Sequence, residues 1–194
     1  MALRLSSRQL SSIAEEFAGV RAAFAALDAH VSDADWARRP APTAWSVAEC
    51  VAHLNLTSAA MVPLLRAEID RAPSMPEGDD RAYRGAFIGR LLASMMGPVR
   101  ILAGMKLGKV ATTPPFVPGS ELSRTLVCDA FHRWQEAELQ LVRDADRRAI
   151  DRVQIESPFR AGTFYDGYSA LLILSRHEMR HLVQAKRALE ALPR

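Results

Sequence analysis

Apolar residues recur along the chain at the spacing of amphipathic helices. The first series alternates steps of three and four residues from Leu10 to Val31. This is the spacing of helices that pack in a bundle, because it keeps the apolar side chains on one face. Similar series predict three further long helices, at about 46–72, 120–145 and 164–192.

A clear start signal precedes the second of these helices. Pro40 and Pro42 favour an extended approach, because a proline disfavours helix in the residue before it. Ser46 and Glu49 then form an S-x-x-E capping box. Trp45, directly before the cap, is expected to pin the approach as a core or staple residue. The pattern predicts a helix from 46 or 47, with the inward row Val47, Cys50, Leu54, Thr57, Met61 and Leu64.

The segments between the long helices are less regular. Residues 81–97 have helical spacing and predict a short extra helix, followed by a proline-rich connector. The stretch VQI at 153–155 is too short to predict a sheet. The third long helix is expected to turn inward the row Leu122, Leu126, Ala130, Trp134, Ala137 and Leu141. The chain is therefore predicted to be all-α: one domain, 1–194, forming a four-helix bundle with long crossover connections and a short extra helix in the middle.

Composition restricts the class of function. Of the 194 residues, 49% are apolar and 24% charged, which is typical of a soluble globular protein. There is no run of 18 apolar residues, so no membrane span is expected. The net charge is only +3 and its charges are interspersed, so nucleic-acid binding is not expected. Cys50 and Cys128 are expected to be free thiols in a reducing compartment. We therefore predict a cytoplasmic protein that acts on a small molecule.

The stretch HEMRH at 177–181 fits the zinc-protease pattern H-E-x-x-H. Its histidines, His177 and His181, leave the same face of a helix one turn apart. A catalytic zinc site needs a third protein ligand, which these proteases supply after the motif. Here positions 184 and 187 hold Gln and Arg, and only thirteen residues follow His181. We therefore reject the protease interpretation, and a third ligand would have to come from upstream.

Three upstream histidines are candidates for that ligand. His53 borders the core row of the second helix, where its imidazole could meet the late pair inside a bundle. His30 lies among acidic residues at the end of the first helix and is expected at the surface. His132 lies off the inward row of its helix. A buried histidine is often satisfied by a hydrogen bond alone, so the residues by themselves also allow a bundle without metal.

Two strings resemble the DinB-like superfamily. APTAWSVAECVAHL at 41–54 resembles its second-helix signature, in which a tryptophan and a serine-capped helix lead to a metal-binding histidine. SRHEMRHLVQAKRAL at 175–189 resembles its last helix, and SPF at 157–159 the usual approach to it. The resemblance spans nearly the whole chain in helix order. It implies a four-helix bundle with one divalent metal, usually zinc or nickel, held by His53, His177 and His181.

The resemblance also implies an activity. Family members include thiol-dependent S-transferases and isomerases that use bacillithiol or mycothiol, as well as presumed hydrolases. A divalent metal with three neutral ligands lowers the pKa of bound water and can equally bind a thiol as thiolate. We therefore expect a metal-dependent enzyme, either a low-molecular-weight thiol S-transferase or a hydrolase of a small molecule. The alternative is a non-catalytic dimeric bundle, stress-related or ligand-binding, whose metal is structural or lost. By analogy we also expect a homodimer.

Three further features of the sequence have predicted roles of their own. Glu178 points about 100° around the helix from His177, so a structural or surface role is predicted for it. Gln184, one turn after His181, is a candidate for lining the metal pocket. Residues 94–104, SMMGPVRILAG, are a candidate subunit contact, and the role of residues 80–115 is open.

Overall fold

The structure is a computed structural model, and it describes residues 5–76, 81–96, 112–120 and 122–193. Four long helices form a bundle, with the bounds α1 Arg8–His30, α3 Val47–Arg71, α5 Arg124–Asp144 and α6 Gly167–Glu190. Two shorter helices lie between them in the chain, α2 Asp33–Trp36 and α4 Phe87–Met96. Pro114–Phe116 and Ile150–Arg152 are 3₁₀ turns. The prediction of an all-α bundle with a short extra helix in the middle is confirmed.

Helices α1 and α3 each pack against both α5 and α6. The short helix α4 packs across the beginning of α6 and against the strand before it. At this contact a Cβ on Gly89 would lie 2.4 Å from the Cβ of Ser169. Such a separation is far inside van der Waals contact, so a glycine permits the close approach of α4 to α6.

The predicted capping box fixes the start of α3. The Ser46 hydroxyl accepts from the backbone N–H of Glu49 at 3.2 Å, and the Glu49 carboxylate accepts from the backbone N–H of Ser46 at 2.9 Å. The Arg39 guanidinium also donates to this carboxylate, with Nε 2.8 Å from Oε2. The extended approach is therefore tied to the helix that carries His53.

Loss of the cap should lower stability. We expect Ser46→Ala to reduce the free energy of unfolding by about 1 kcal/mol, because it leaves an N-terminal N–H of α3 without its acceptor. Urea denaturation measures the change. Ser12→Ala is the control, because Ser12 is exposed within α1 and caps no helix. A loss no larger than that of the control would contradict this role of Ser46.

A two-stranded antiparallel sheet precedes α6, where the sequence pattern predicted none. Strand β1, Gln154–Glu156, pairs with β2, Phe164–Asp166, so that Ile155 faces Tyr165. Both of these side chains are buried in the core. Strands this short give almost no alternating pattern, and packing against the bundle stabilises them. The helix predicted from Phe164 therefore begins only at Gly167.

The buried row of α5 is shifted by about one residue from the predicted inward row, and Leu141 belongs to both. Leu126, expected inside, is 70% exposed, and the buried row is Val127, Phe131, Gln135, Glu138, Leu141 and Val142. This face does not stand out in the apolar pattern, because it contains an amide and a carboxylate. A smaller error of the same kind affects α3, where Leu64 is 39% exposed and Leu65 is buried.

A polar layer separates two apolar clusters along the bundle. One cluster contains residues 10–17 of α1 and 61–69 of α3, and the other contains 20–27 of α1 and 47–54 of α3. Between them lie side chains that are buried but polar: Thr57, Ser58, Gln135, Glu138, Ser175 and Glu178. The core is therefore interrupted by hydrogen-bonding groups at mid-height, next to the level of the histidines.

Helix α3 is long and apolar enough to cross a membrane by length and composition alone. However, 67% of its apolar window is buried inside the bundle. Such burial is typical of the core helix of a soluble protein.

Candidate metal centre

The fold brings His53, His177 and His181 together. His53 comes from α3, and the other two project from α6 one turn apart. The Nε2 atoms of His53 and His177 are 3.4 Å apart. The ring of His181 lies 4.4 Å from that of His53 and 4.5 Å from that of His177, measured between centroids. One nitrogen from each ring falls within 4.8 Å of the other two.

The orientation of His53 is fixed by a hydrogen bond. Its Nδ1 lies 2.8 Å from the carbonyl oxygen of Phe116. A carbonyl can only accept, so Nδ1 carries the proton and donates, which leaves the Nε2 lone pair directed towards His177. A backbone carbonyl that holds the second ring nitrogen is the usual support for a metal-binding histidine.

The separations fit the ligand geometry of a divalent metal. Nitrogens at 2.0–2.1 Å from a tetrahedral zinc ion are about 3.3 Å apart, and the His53 and His177 Nε2 atoms are 3.4 Å apart. In addition, the buried Nδ1 of His181 has no hydrogen-bond partner. Buried polar atoms normally have one, so this ring has a nitrogen to spare for a ligand. The residues present fit a three-histidine metal site.

All three imidazoles are held neutral at physiological pH. Burial lowers the pKa of His53, against the opposing effect of the Phe116 carbonyl. Burial, together with its two histidine neighbours and Arg180, lowers the pKa of His177 well below its usual range. Burial lowers the pKa of His181 to about 3, helped by His53 and Arg180. Neutral imidazoles have the lone pairs that a metal requires.

Aromatic rings surround the histidines. The Trp45 ring lies 5.0 Å from His53 and 6.0 Å from His181, and the Phe159 ring stacks 6.3 Å from His177. Phe116, which supplies the carbonyl for His53, packs on Phe159 at 4.7 Å. From the sequence Trp45 was predicted to be a core or staple residue, and Phe159 and Phe116 received no role of their own. The sequence feature that could have identified Trp45 and Phe159 is their position within the strings WSVAECVAH and SPF.

Glu178 is not a surface residue, so that part of its prediction is wrong. It is 0% exposed, and both of its carboxylate oxygens lie within hydrogen-bonding distance of the Gln135 amide nitrogen, at 3.0 and 2.9 Å. The carboxylate is therefore engaged with α5.

The other sequence candidates lie at the periphery. His30 and His132 are exposed, and His132 rests edge-on against Phe24. Gln184 is also exposed, and its contact with His181 acts to raise the pKa of that ring. In the candidate subunit contact at 94–104, only Ser94 at the end of α4 has a described side chain, and residues 97–104 lie outside the described residues.

Comparison with protein families decides the assignment. A sequence model of the DinB superfamily matches residues 16–185. The chain belongs to the DinB superfamily. The match contains all three histidines, the whole string at 41–54 and residues 175–185 of the string at 175–189. Searches among curated proteins and among solved structures gave no significant match. Membership of the DinB superfamily and the histidine cluster are together compatible with a metal-binding protein.

Proposed function

We propose that this protein is a metal-dependent thiol S-transferase, in which His53, His177 and His181 hold one zinc or nickel ion. The observation that carries the proposal is the 3.4 Å separation of two imidazole Nε2 atoms contributed by different helices. Two neutral nitrogens at this distance, both directed at one point, are the arrangement that a shared cation requires. DinB superfamily membership supports the same interpretation.

The side chains around the cluster have separable tasks. The Phe116 carbonyl fixes the His53 ring, and α6 sets the spacing of the other two imidazoles. Trp45 and Phe159 form apolar walls beside the rings and would keep water away from a reacting group. When bound, the metal ion would supply a Lewis acid with a position open to an outside ligand.

A thiol suits these surroundings better than a water molecule as the attacking group. A thiol has a pKa near 8.5. The positive charge of a metal held by neutral imidazoles therefore suffices to favour its thiolate form at neutral pH. Hydrolysis also benefits from a carboxylate base near the water. Glu178 is the residue that would serve as that base in a protease, but both of its oxygens contact Gln135. We therefore favour S-transfer over hydrolysis.

The attacking thiol would come from a small molecule. Burial raises the pKa of Cys50 to about 12 and that of the half-buried Cys128 to about 11. Both cysteines are therefore protonated at neutral pH and are poor nucleophiles.

Arg180 adds a positive charge near the cluster. Its charge contributes to the lowered pKa of both His177 and His181. The same charge would stabilise an anion, such as a thiolate, beside the imidazoles.

Cobalt substitution tests the proposed function. Cobalt(II) reports a bound thiolate through a charge-transfer absorption band. We expect protein loaded with one equivalent of cobalt to develop this band on addition of L-cysteine, and His53→Ala not to develop it. Cys50→Ala and Cys128→Ala should leave the band unchanged, because in the original chain both thiols are protonated and do not contribute a thiolate.

Two other results of this experiment would support the alternative functions. Stoichiometric cobalt without a thiolate band, combined with hydrolysis of p-nitrophenyl esters, would replace S-transfer by the hydrolase interpretation. A protein that binds no divalent metal would contradict the proposal and leave the non-catalytic bundle as the remaining interpretation.

A homodimer in the cytoplasm is part of the proposal, and light scattering during gel filtration tests the dimer.

A further inference from the structure

The polar layer of the core contains a cluster of four side chains from three helices. Ser58 comes from α3, Gln135 and Glu138 from α5, and Glu178 from α6. The Gln135 Nε2 lies 2.7 Å from Glu138 Oε2 and 3.0 and 2.9 Å from the two Glu178 oxygens. The Ser58 hydroxyl lies 3.4 Å from Glu178 Oε1. Gln135, Glu138 and Glu178 are all 0% exposed.

This cluster has too many acceptors for its donors. The amide of Gln135 offers two N–H groups and Ser58 one O–H, whereas the two carboxylates present four oxygens. Two buried oxygens, Glu138 Oε1 and Gln135 Oε1, have no hydrogen-bond partner. Both unpartnered atoms are acceptors. When both carboxyls are ionised, the missing partner is therefore a cation, and the competing solution is a proton shared by the two carboxyls.

The charge of the cluster leads to the same requirement. The two carboxyl groups contact each other as well as one amide, and the printed partners of the pair, Gln135 and Ser58, carry no charge. Buried charges are tolerated only when a counter-charge and hydrogen bonds compensate for the lost water. Two negative charges are matched by one divalent cation.

We propose that Ser58, Gln135, Glu138 and Glu178 form a second cation site, for a small divalent ion that prefers oxygen ligands, such as Mn²⁺ or Mg²⁺. Three carboxylate oxygens already converge within 3.0 Å of one point, which the Gln135 nitrogen occupies. A half-turn of the terminal amide of Gln135 presents its Oε1 there instead, and this torsion is soft. The cation then takes the place of the amide hydrogens.

Ligand chemistry keeps this site distinct from the histidine cluster. Carboxylate, amide and hydroxyl oxygens suit Mg²⁺ and Mn²⁺, whereas imidazole nitrogens suit zinc and nickel. The second site therefore does not depend on the proposed S-transfer, and the two ions can be measured separately in one sample.

Manganese binding to zinc-loaded protein tests the second site. With the histidine cluster filled by one equivalent of zinc, long dialysis against Mn²⁺ at pH 8 should leave about one Mn²⁺ per chain, counted by electron paramagnetic resonance and elemental analysis. Glu138→Gln keeps the shape but removes one charge, and should weaken Mn²⁺ binding about tenfold or more. The zinc content should be the same in both proteins.

Glu136→Gln is the matched control, because Glu136 lies on the same helix but its side chain is 60% exposed and pairs with Arg21. It should bind Mn²⁺ as the original chain does. Zinc-loaded protein that takes up no Mn²⁺ overturns the proposal, and the carboxyl pair is then neutralised by protons. Equal binding by Glu138→Gln also overturns it. The measurement on the original chain decides the question even if the variant does not fold, and Ser58→Ala, expected to bind several-fold more weakly, provides a second variant.

Discussion

Replacing His53 by alanine is expected to abolish stoichiometric metal binding while the bundle stays folded. A structural zinc site with four ligands contributes about 10–16 kcal/mol, or roughly 3 kcal/mol for each ligand. Losing one of three imidazoles should therefore weaken zinc or nickel binding by about a hundredfold or more. The His53 ring is buried and contacts both partner rings, so no other group takes its place without rearrangement. Metal analysis after gel filtration measures the loss.

His132→Ala is the control for this prediction. It also removes an imidazole from a bundle helix, but His132 is exposed and contacts Phe24 and Phe131 instead of the cluster. It should retain the metal. Circular dichroism separates a lost site from a lost fold. If His53→Ala retained a full equivalent of metal, the three-histidine assignment would be wrong. If its melting temperature fell in step with the metal, the ion would be structural rather than catalytic.

Acidification should sharply destabilise the metal-free protein. The ordinary pKa of histidine is 6.5, and in the folded chain it is lowered for His53, lowered well below that range for His177, and lowered to about 3 for His181. Below pH 6.5 these histidines are therefore protonated in the unfolded chain but remain neutral in the folded chain. The stabilisation is complete above pH 6.5 and is lost as pH falls from there towards 3. Each such proton changes stability by about 1.4 kcal/mol per pH unit.

The buried carboxyl pair acts in the opposite direction. Burial raises the pKa of Glu178 to about 7, and burial together with Glu178 raises the pKa of Glu138 well above 4.5. A raised carboxyl pKa stabilises the fold at low pH, and that contribution is lost as pH rises from 4.5 to about 7. Three histidines outweigh two carboxyls between pH 4.5 and 6.5. The net effect is a loss of stability on acidification, because three histidine pKa values are lowered and two carboxyl pKa values are raised.

Urea denaturation in a chelator, at several pH values between 5 and 8, measures this dependence. His181→Asn should flatten the acid side, because it removes the imidazole whose pKa is lowered to about 3. His30→Ala should not, because His30 is exposed at the end of α1. A stability that did not change between pH 7 and 5, or an unchanged slope in His181→Asn, would contradict the assignment of neutral buried imidazoles.

The sequence was least informative where short-range pattern and burial disagree. Gln135 and Glu138 are fully buried on α5, but because they are polar the predicted face was shifted by about one residue. Helical periodicity assigns burial by polarity, so it cannot recognise a polar group whose partner comes from another helix. The strands at Gln154–Glu156 and Phe164–Asp166 were missed for a similar reason, because three residues do not make a pattern.

By itself the sequence determined the long helices, the capping box at Ser46 and Glu49, and the i, i+4 placement of His177 and His181. These are local properties, set by backbone geometry and by neighbours within one turn. The tertiary structure decided which groups meet. It brought His53 to 3.4 Å from His177, turned Glu178 towards Gln135, and placed Trp45 and Phe159 beside the histidines. Such contacts join residues far apart in the chain, so they depend on how the helices pack rather than on the preference of any one segment.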